Sequence, residues 1–380
     1  MSKEKITLIA VGDVMLHGDG TKNIFHYVRD VLRTGDITFG NCEQTYSDKG
    51  NLAPGQTSIE DPIKSINTLI DAGFDVLSIA NNHTLDAGYE ALLDTIERMK
   101  KTNIKLVGIG KNLTEARKPV IIEKKGNRVG FLAYGCIGPD GYEAWEDKPG
   151  YAPMRAYTIY DKWDYQPGTP PRIITVAFPD DLAAMEDDIR KLKSQVDVVA
   201  VSLHWGLHFQ HAVIPMYGYQ VGHAAIDAGA DIILGGHAHI LKGIEVYKGR
   251  VVFHALNNFA FGMRPRPPST ATQPGGDPFA RGARRFSEMY HFTPEPGSIW
   301  HPEAKRTLIC KAIIEDGKIQ KVSYLPCWID FQKEQQPELL TRSDSRAEDV
   351  FNYIEQISRE EKLTTQFTWE GNEVVIKAQG

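Results

Sequence analysis

Two histidines, His237 and His239, stand at spacing i, i+2 in GGHAH, directly after the strand-like run DIILGG. Imidazoles in such a pair are ligands for a borderline divalent cation, and the two glycines before them permit close backbone approach. Other apolar runs finish in the same kind of side chain. LIAVG is followed by Asp13, DITFG by Asn41 and Glu43, VLSIA by Asn81, Asn82, His83 and Asp86, and VVAVSL by His204. Singly, each has an ordinary structural use: Asp13 as a turn cap, the asparagines in left-handed turns, His204 as a satisfied core histidine. Together, five strand ends present carboxylate, amide oxygen and imidazole, and ligands of α/β sheets collect where the carboxyl ends of strands open into loops. A mixed set of this kind favours Mn, Zn or Fe over the oxygen-rich sites of Mg and Ca. One or two such ions bring a water towards neutral pKa and polarise an oxygen under attack.

The elements that deliver these residues are apolar strands alternating with helices. ITLIAVGDVML reads as strand into loop, and PIKSINTLIDAG as a helix with Ile63, Ile66, Leu69 and Ile70 on one face, leading into strand FDVLSIA. Helix YEALLDTIERMKK follows, then KLVGIG and a hairpin of VIIEK and VGFLAYG. Helix DDLAAMEDDIRKLKSQ, strand DVVAVSLHW, helix YQVGHAAIDAGA and strand DIILGG continue the alternation. Strands apolar on both faces between helices imply a layered α/β fold. Beyond it come the hairpin VYKGRVVFHAL, an irregular insert at about 260–305, a hairpin at 306–329 turning at Asp316 and Gly317, a helix at 344–361 and a closing strand FTWEGNEVVIKA. Residues 140–180 also read as irregular. With neither repeat nor linker, residues 1–380 read as a single domain carrying that insert and a C-terminal hairpin-helix-strand extension.

Composition narrows the partners. A net charge of -6 in 380 residues gives no general attraction to nucleic acid or anionic membrane. No run approaches ~18 uninterrupted apolar residues, so no membrane span is expected. The opening MSKEKITLIAVGDVM passes from charges straight into a strand, which predicts a cytoplasmic protein. Four scattered cysteines without a CxxC exclude a zinc knuckle and predict reduced thiols.

The ordered motifs GDVML, GNCE, NNHTLD, LHWG, GGHAH and EVYKGRVVFHALNNF, from about residue 6 to about 262, resemble the CapA/PgsA family, named for proteins of poly-γ-glutamate capsule synthesis. That family is similar to the calcineurin-like metallophosphoesterases, so the resemblance implies a four-layer α/β/β/α sandwich of the metallophosphoesterase type. It also implies roles. Asp13 and His239 would hold a first metal, Asn82, His204 and His237 a second, and Glu43 would bridge them, with Asn41 as a nearby alternative. His83, oriented by Asp86, would donate a proton to the leaving group.

The sequence departs from the pattern in three places. Met15 stands where an ordinary phosphoesterase has a ligating histidine, with His17 a candidate substitute. His208 and His211 follow HWG where an acidic residue is usual, which points to altered substrate contacts, His208 foremost. Asn257 stands where a glycine is expected. Arginines of the insert (Arg264, Arg266, Arg281, Arg284, Arg285) either capture carboxylate or phosphate or form a solvated loop, with Arg264 and Arg284 the candidates for substrate. Trp205, Phe209, Tyr217 and Tyr219 either wall a pocket or pack.

The expected function is a cytoplasmic metal-dependent hydrolase that cleaves a small anionic substrate, at an amide of γ-glutamyl type or a phosphoester, through a metal-activated water. The competing expectation is a non-catalytic accessory protein of poly-γ-glutamate or capsule polymer synthesis.

Overall fold

The computed structural model describes residues 3–16, 23–53, 61–262, 284–285, 287–294, 300–331 and 335–378. Two sheets face each other. The larger runs, in spatial order, through Thr365–Glu370, Glu373–Ala378, Lys318–Ile329, Arg306–Glu315, Ile6–Met15, Ile37–Cys42, Val76–Ser78 and Lys105–Val107, with Asn258–Phe261 also paired to Ile6–Met15. The smaller runs Ile244–Tyr247, Arg250–Phe253, Ile232–Gly236, Val198–His204, Asn127–Gly135, Val120–Lys124. Strands Ile6–Met15, Ile37–Cys42, Val76–Ser78 and Lys105–Val107 are mutually parallel, as are Asn127–Gly135, Val198–His204, Ile232–Gly236 and Arg250–Phe253.

Strand alternation sorts the smaller sheet into two faces. Phe131, Ala133, Val198, Ala200, Ile232 and Leu234 join the core between the sheets, where Phe131 stacks on Phe39 of the larger sheet at 5.8 Å. Their neighbours Leu132, Tyr134, Val199, Val201 and Ile233 point outward onto helices Pro179–Lys193 and Met216–Ala228, meeting Met185, Ile189, Val221 and Ala225. Helices Pro62–Ala72 and Gly88–Met99 bury Leu69, Ala72 and Leu92 in the core of the larger sheet. The layer order is therefore α/β/β/α, as expected, and it brings two sets of parallel strand ends to one edge of the sandwich.

Local signals explain several boundaries. The Asp61 carboxylate accepts from Lys64 N at 2.9 Å, Pro62 opens the helix, and Gly73 closes it at φ 91°. That helix does not bury the expected stripe. Ile66 and Leu69 are buried with Ser65 and Ala72, whereas Ile63 is 62% and Ile70 44% exposed. The buried contact runs along 62, 65/66, 69 and 72 and turns positions 63 and 70 to solvent.

Two further readings are corrected. FTWEGNEVVIKA is a hairpin, Thr365–Glu370 with Glu373–Ala378 about a left-handed Gly371, so the C-terminal extension is hairpin, helix, hairpin. The stretch read as irregular at 140–180 contains the hairpin Ala156–Asp161 with Arg172–Ala177, hidden because Trp163, Tyr165 and the prolines of its loop interrupt the period-2 pattern. Of the insert, residues 263–283 and 295–299 lie outside the described residues, and with them Arg264, Arg266 and Arg281; so does His17.

Candidate metal centre

Four strand ends deliver the central side chains. Asp13 lies between two register shifts of Ile6–Met15, one before it against Ile37–Cys42 and one after it against Asn258–Phe261, Glu43 follows Ile37–Cys42, His204 ends Val198–His204, and His237 follows Ile232–Gly236. All four are buried. His204 Nε2 is the hub: Asn82 Oδ1 lies 2.7 Å away, Glu43 Oε1 3.2 Å and His237 Nδ1 3.2 Å. A tetrahedral ion with bonds of about 2.0–2.1 Å sets its donor atoms roughly 3.3 Å apart, so these separations suit a shared cation. Ligand atoms of Asp13, Glu43 and His204 also lie within 4.8 Å of one another.

Glu43 carries the sharpest sign of a missing charge partner. Both carboxylate oxygens are buried and neither receives a hydrogen bond among the described residues. Burial, with Asp13 and Asp86 nearby, pushes its carboxyl well above the usual range. Burial likewise pushes Asp13 up to about 7, against the opposing hydrogen bond from Asn41. The imidazoles move the other way: burial, reinforced by neighbouring histidines, holds His204 and His237 well below the ordinary value and His239 down at about 3. A pocket of neutral imidazoles beside two buried carboxyls, one of them unsatisfied, is what a divalent cation stabilises.

Orienting contacts surround the donors. Asn41 donates through Nδ2 to Asp13 Oδ1 at 2.8 Å and approaches His204 Nδ1 at 3.1 Å, so it touches two candidate ligands. The His237 N–H donates to Asp13 Oδ2 at 3.0 Å. His239 Nδ1 lies 2.6 Å from Asn258 Oδ1, an acceptor, which leaves Nε2 with its lone pair. Asn258 was silent in the sequence; its signal is the NNF after the hairpin, where attention falls on Asn257. His237 and His239 have φ of 87° and 53°, left-handed values that side chains other than Asn and Gly rarely adopt. Gly236 lets the turn close, since a Cβ there would stand 2.6 Å from Asp13 Oδ1.

His83 sits beside this group with Nδ1 2.6 Å from Asp86 Oδ2, its own N–H donating to Asn81 Oδ1 at 3.0 Å. Tyr142 donates to the other Asp86 oxygen at 3.4 Å. The ring of His208 lies 3.9 Å from that of His237 and 5.0 Å from that of His239. Arg284 is exposed and pairs with Glu288 at 2.8 Å. Trp205 packs on His254 and donates to its carbonyl at 2.8 Å, and Tyr217 accepts from Gly206 N at 2.8 Å. Met15 is buried against Phe209, Phe261 and Trp300 on the His239 side.

Glu43→Gln separates electrostatics from shape. Replacing a buried, unpaired carboxyl by its neutral isostere is expected to raise the melting midpoint of chelator-treated protein by a few degrees, and to cut bound metal at least about tenfold. Calorimetry before and after chelation checks both; a lower midpoint in the chelated variant would contradict the unpaired-charge account.

The bacterial capsule synthesis protein PGA_cap family matches residues 7–263. The chain is 31% identical over 271 residues to the PGA biosynthesis protein CapA of Bacillus subtilis (strain 168), covering 68% of this chain and 64% of that protein. It is 30% identical over 273 residues to the capsule biosynthesis protein CapA of Bacillus anthracis, covering 68% and 60%. The stretches shared with these two are thus less than two thirds of the relatives' own length. A probable polyglutamine synthesis accessory protein of Mycobacterium tuberculosis (strain ATCC 25618 / H37Rv) is 32% identical over 187 residues, 48% of this chain and 44% of that protein. Among solved structures, a hypothetical protein from Thermus thermophilus aligns with a TM-score of 0.48 at 14% identity, covering 84% of this chain and 98% of that one. Most of the chain, including every residue of the centre described above, falls within the matched stretch, and the chain belongs to the PGA_cap family of bacterial capsule synthesis proteins.

Proposed function

We propose that this chain is a metal-dependent hydrolase acting on a small anionic substrate. The observation that carries the reading is Glu43: a fully buried carboxylate without a hydrogen-bond partner among the described residues, set against the Asn82, His204 and His237 donor atoms. Glu43, Asn82, His204 and His237 would hold one ion, Mn, Zn or Fe, with Asp13 and His239 available to a second. A divalent ion there supplies Lewis acidity, lowering the pKa of a water and polarising the oxygen under attack. The chain's own residues do the rest. Asp86 fixes the His83 ring through Nδ1, so that Nε2 is the atom free to pass a proton to a leaving group. His208 would meet the substrate's anionic end; its position over the rings of His237 and His239 supports that role. Arg264 and Arg284 are further candidates for that end. The bond cleaved is an amide of γ-glutamyl type or a phosphoester, and the compartment is the cytoplasm.

A second reading, a non-catalytic accessory role in polymer synthesis, is favoured by one observation: similar relatives bear names of capsule and accessory proteins. Among the described residues no helix is long and apolar enough to cross a membrane. The two readings part in one experiment. Elemental analysis of protein purified without added metal, followed by a screen of phosphoesters and amides with the bound metal restored, is expected to give about one or two equivalents of metal and turnover of one substrate class. Protein that stays metal-free after soaking would overturn the hydrolase reading in favour of the accessory one.

A further inference from the structure

The loop from Trp205 to Ile214 carries His208 to the centre in a shape it does not hold by itself. Phe209 and Ala212 have φ of 53° and 57°, left-handed values for residues that disfavour them. Three contacts impose that shape. The Phe209 N–H donates to Ala238 O at 3.0 Å, between the two histidines of GGHAH. Lys242, 3% exposed, donates its ammonium to the carbonyl of Gln210. His211 is gripped on both ring nitrogens, Nδ1 2.7 Å from Glu303 Oε1 and Nε2 3.0 Å from Glu360 Oε2. The second oxygen of Glu303 accepts the Tyr353 hydroxyl at 2.7 Å, which ties the grip to helix Ser345–Glu360. Phe209 also stacks between the rings of His239 and His301, at 5.8 and 6.0 Å.

Glu303, Tyr353 and Glu360 all lie beyond residue 263, where the family match ends. We propose that His211 and Lys242 are positioning residues for His208, and that Glu303 and Glu360 make the C-terminal region a working part of the site: it reaches back and locks the loop that meets the substrate. The kinetic side of this inference rests on the hydrolase reading; the structural side does not. Because the loop holds a substrate-facing group and no proposed metal ligand, loosening it should change substrate binding and leave metal content alone.

The test uses the full chain and the variants His211→Ala, Lys242→Met and, should either fail to fold, Glu303→Gln. Hydrogen exchange read by mass spectrometry is expected to accelerate about tenfold or more at the amides of residues 206–214, at wild-type metal content. KM is expected to rise about fivefold or more with kcat changed less, and His208→Ala combined with His211→Ala to be no worse than His208→Ala alone, because both remove one function. Lys242→Arg, which keeps a donor, should restore protection. Unchanged exchange in the loop, or additive effects in the double variant, would overturn the proposal. A wild-type protein with no turnover would defeat the hydrolase reading while leaving the exchange comparison to decide this one.

Discussion

His237→Ala protein is expected to retain less than about a tenth of the divalent metal held by wild type, and to show no hydrolysis above background. The size of the effect follows from the geometry. His237 Nδ1 stands 3.2 Å from the hub nitrogen of His204, and the ring is buried and held neutral, so at neutral pH its lone pair is available. Losing it leaves Glu43 and Asn82 to share an ion with a single imidazole, and the uncompensated Glu43 charge persists. The backbone role of residue 237 survives, because its N–H still donates to Asp13. The fold should therefore remain, with a circular dichroism spectrum like that of wild type. His237→Gly, free of penalty at φ 87°, controls for strain. Full metal content in either variant, by inductively coupled plasma mass spectrometry, would remove His237 from the ligand set.

Gly12→Ala should be the most damaging single-methyl change at the centre. A Cβ at position 12 would stand 1.9 Å from Asn257 O and 3.0 Å from the carbonyl carbons of Leu256 and Asn257. These are backbone atoms and cannot swing aside. The same Asn257 carbonyl accepts the Asp13 N–H at 2.9 Å, and Asp13 is the register partner of Asn258, so relieving the clash pulls apart the strands that carry Asp13 and the residue orienting His239. Overpacking of this kind costs about 3 kcal/mol, and in a chain of this length a fall in melting midpoint of about 4 °C should follow. A midpoint within a degree or two of wild type would mean that the 256–258 turn gives way easily.

The centre was more legible than its surroundings. A sequence displays strand ends well, because an apolar run that stops in Asp, Asn or His marks both an element and a reason to stop there. That signal located Asp13, Glu43, Asn82, His204 and His237, and the structure brings them together. What it could not display is which residue serves another. Asn41 reads as a nearby alternative to Glu43, and its contacts to Asp13 and His204 are not visible in the sequence. Asn258 and Lys242 carry no pattern of their own, since their value lies in contacts across the fold. Asn257 is instructive: a glycine is expected there, the backbone does adopt φ 66°, and the side chain repays the strain by donating to the carbonyls of Ala304 and Arg306. The misread helix face has a similar cause. Periodicity reports which residues can share a stripe, while tertiary packing decides how much of it is covered.

The placement of the first strand bears on how the molecule is assembled in time. Ile6–Met15 lies inside the larger sheet, yet one of its flanks is completed only by Arg306–Glu315, with Ile6 opposite Ile314. A nascent chain must therefore keep that flank waiting until residue 306 and beyond are made, its unpaired N–H and C=O groups open to wrong pairing. Pairings this distant in sequence make for slow folding and a long window of vulnerability. Arg306–Glu315 registers only with Ile6–Ala10, whereas the Asp13 end of the strand pairs with Asn41 and Asn258, so the late partner completes the half of the strand away from the centre.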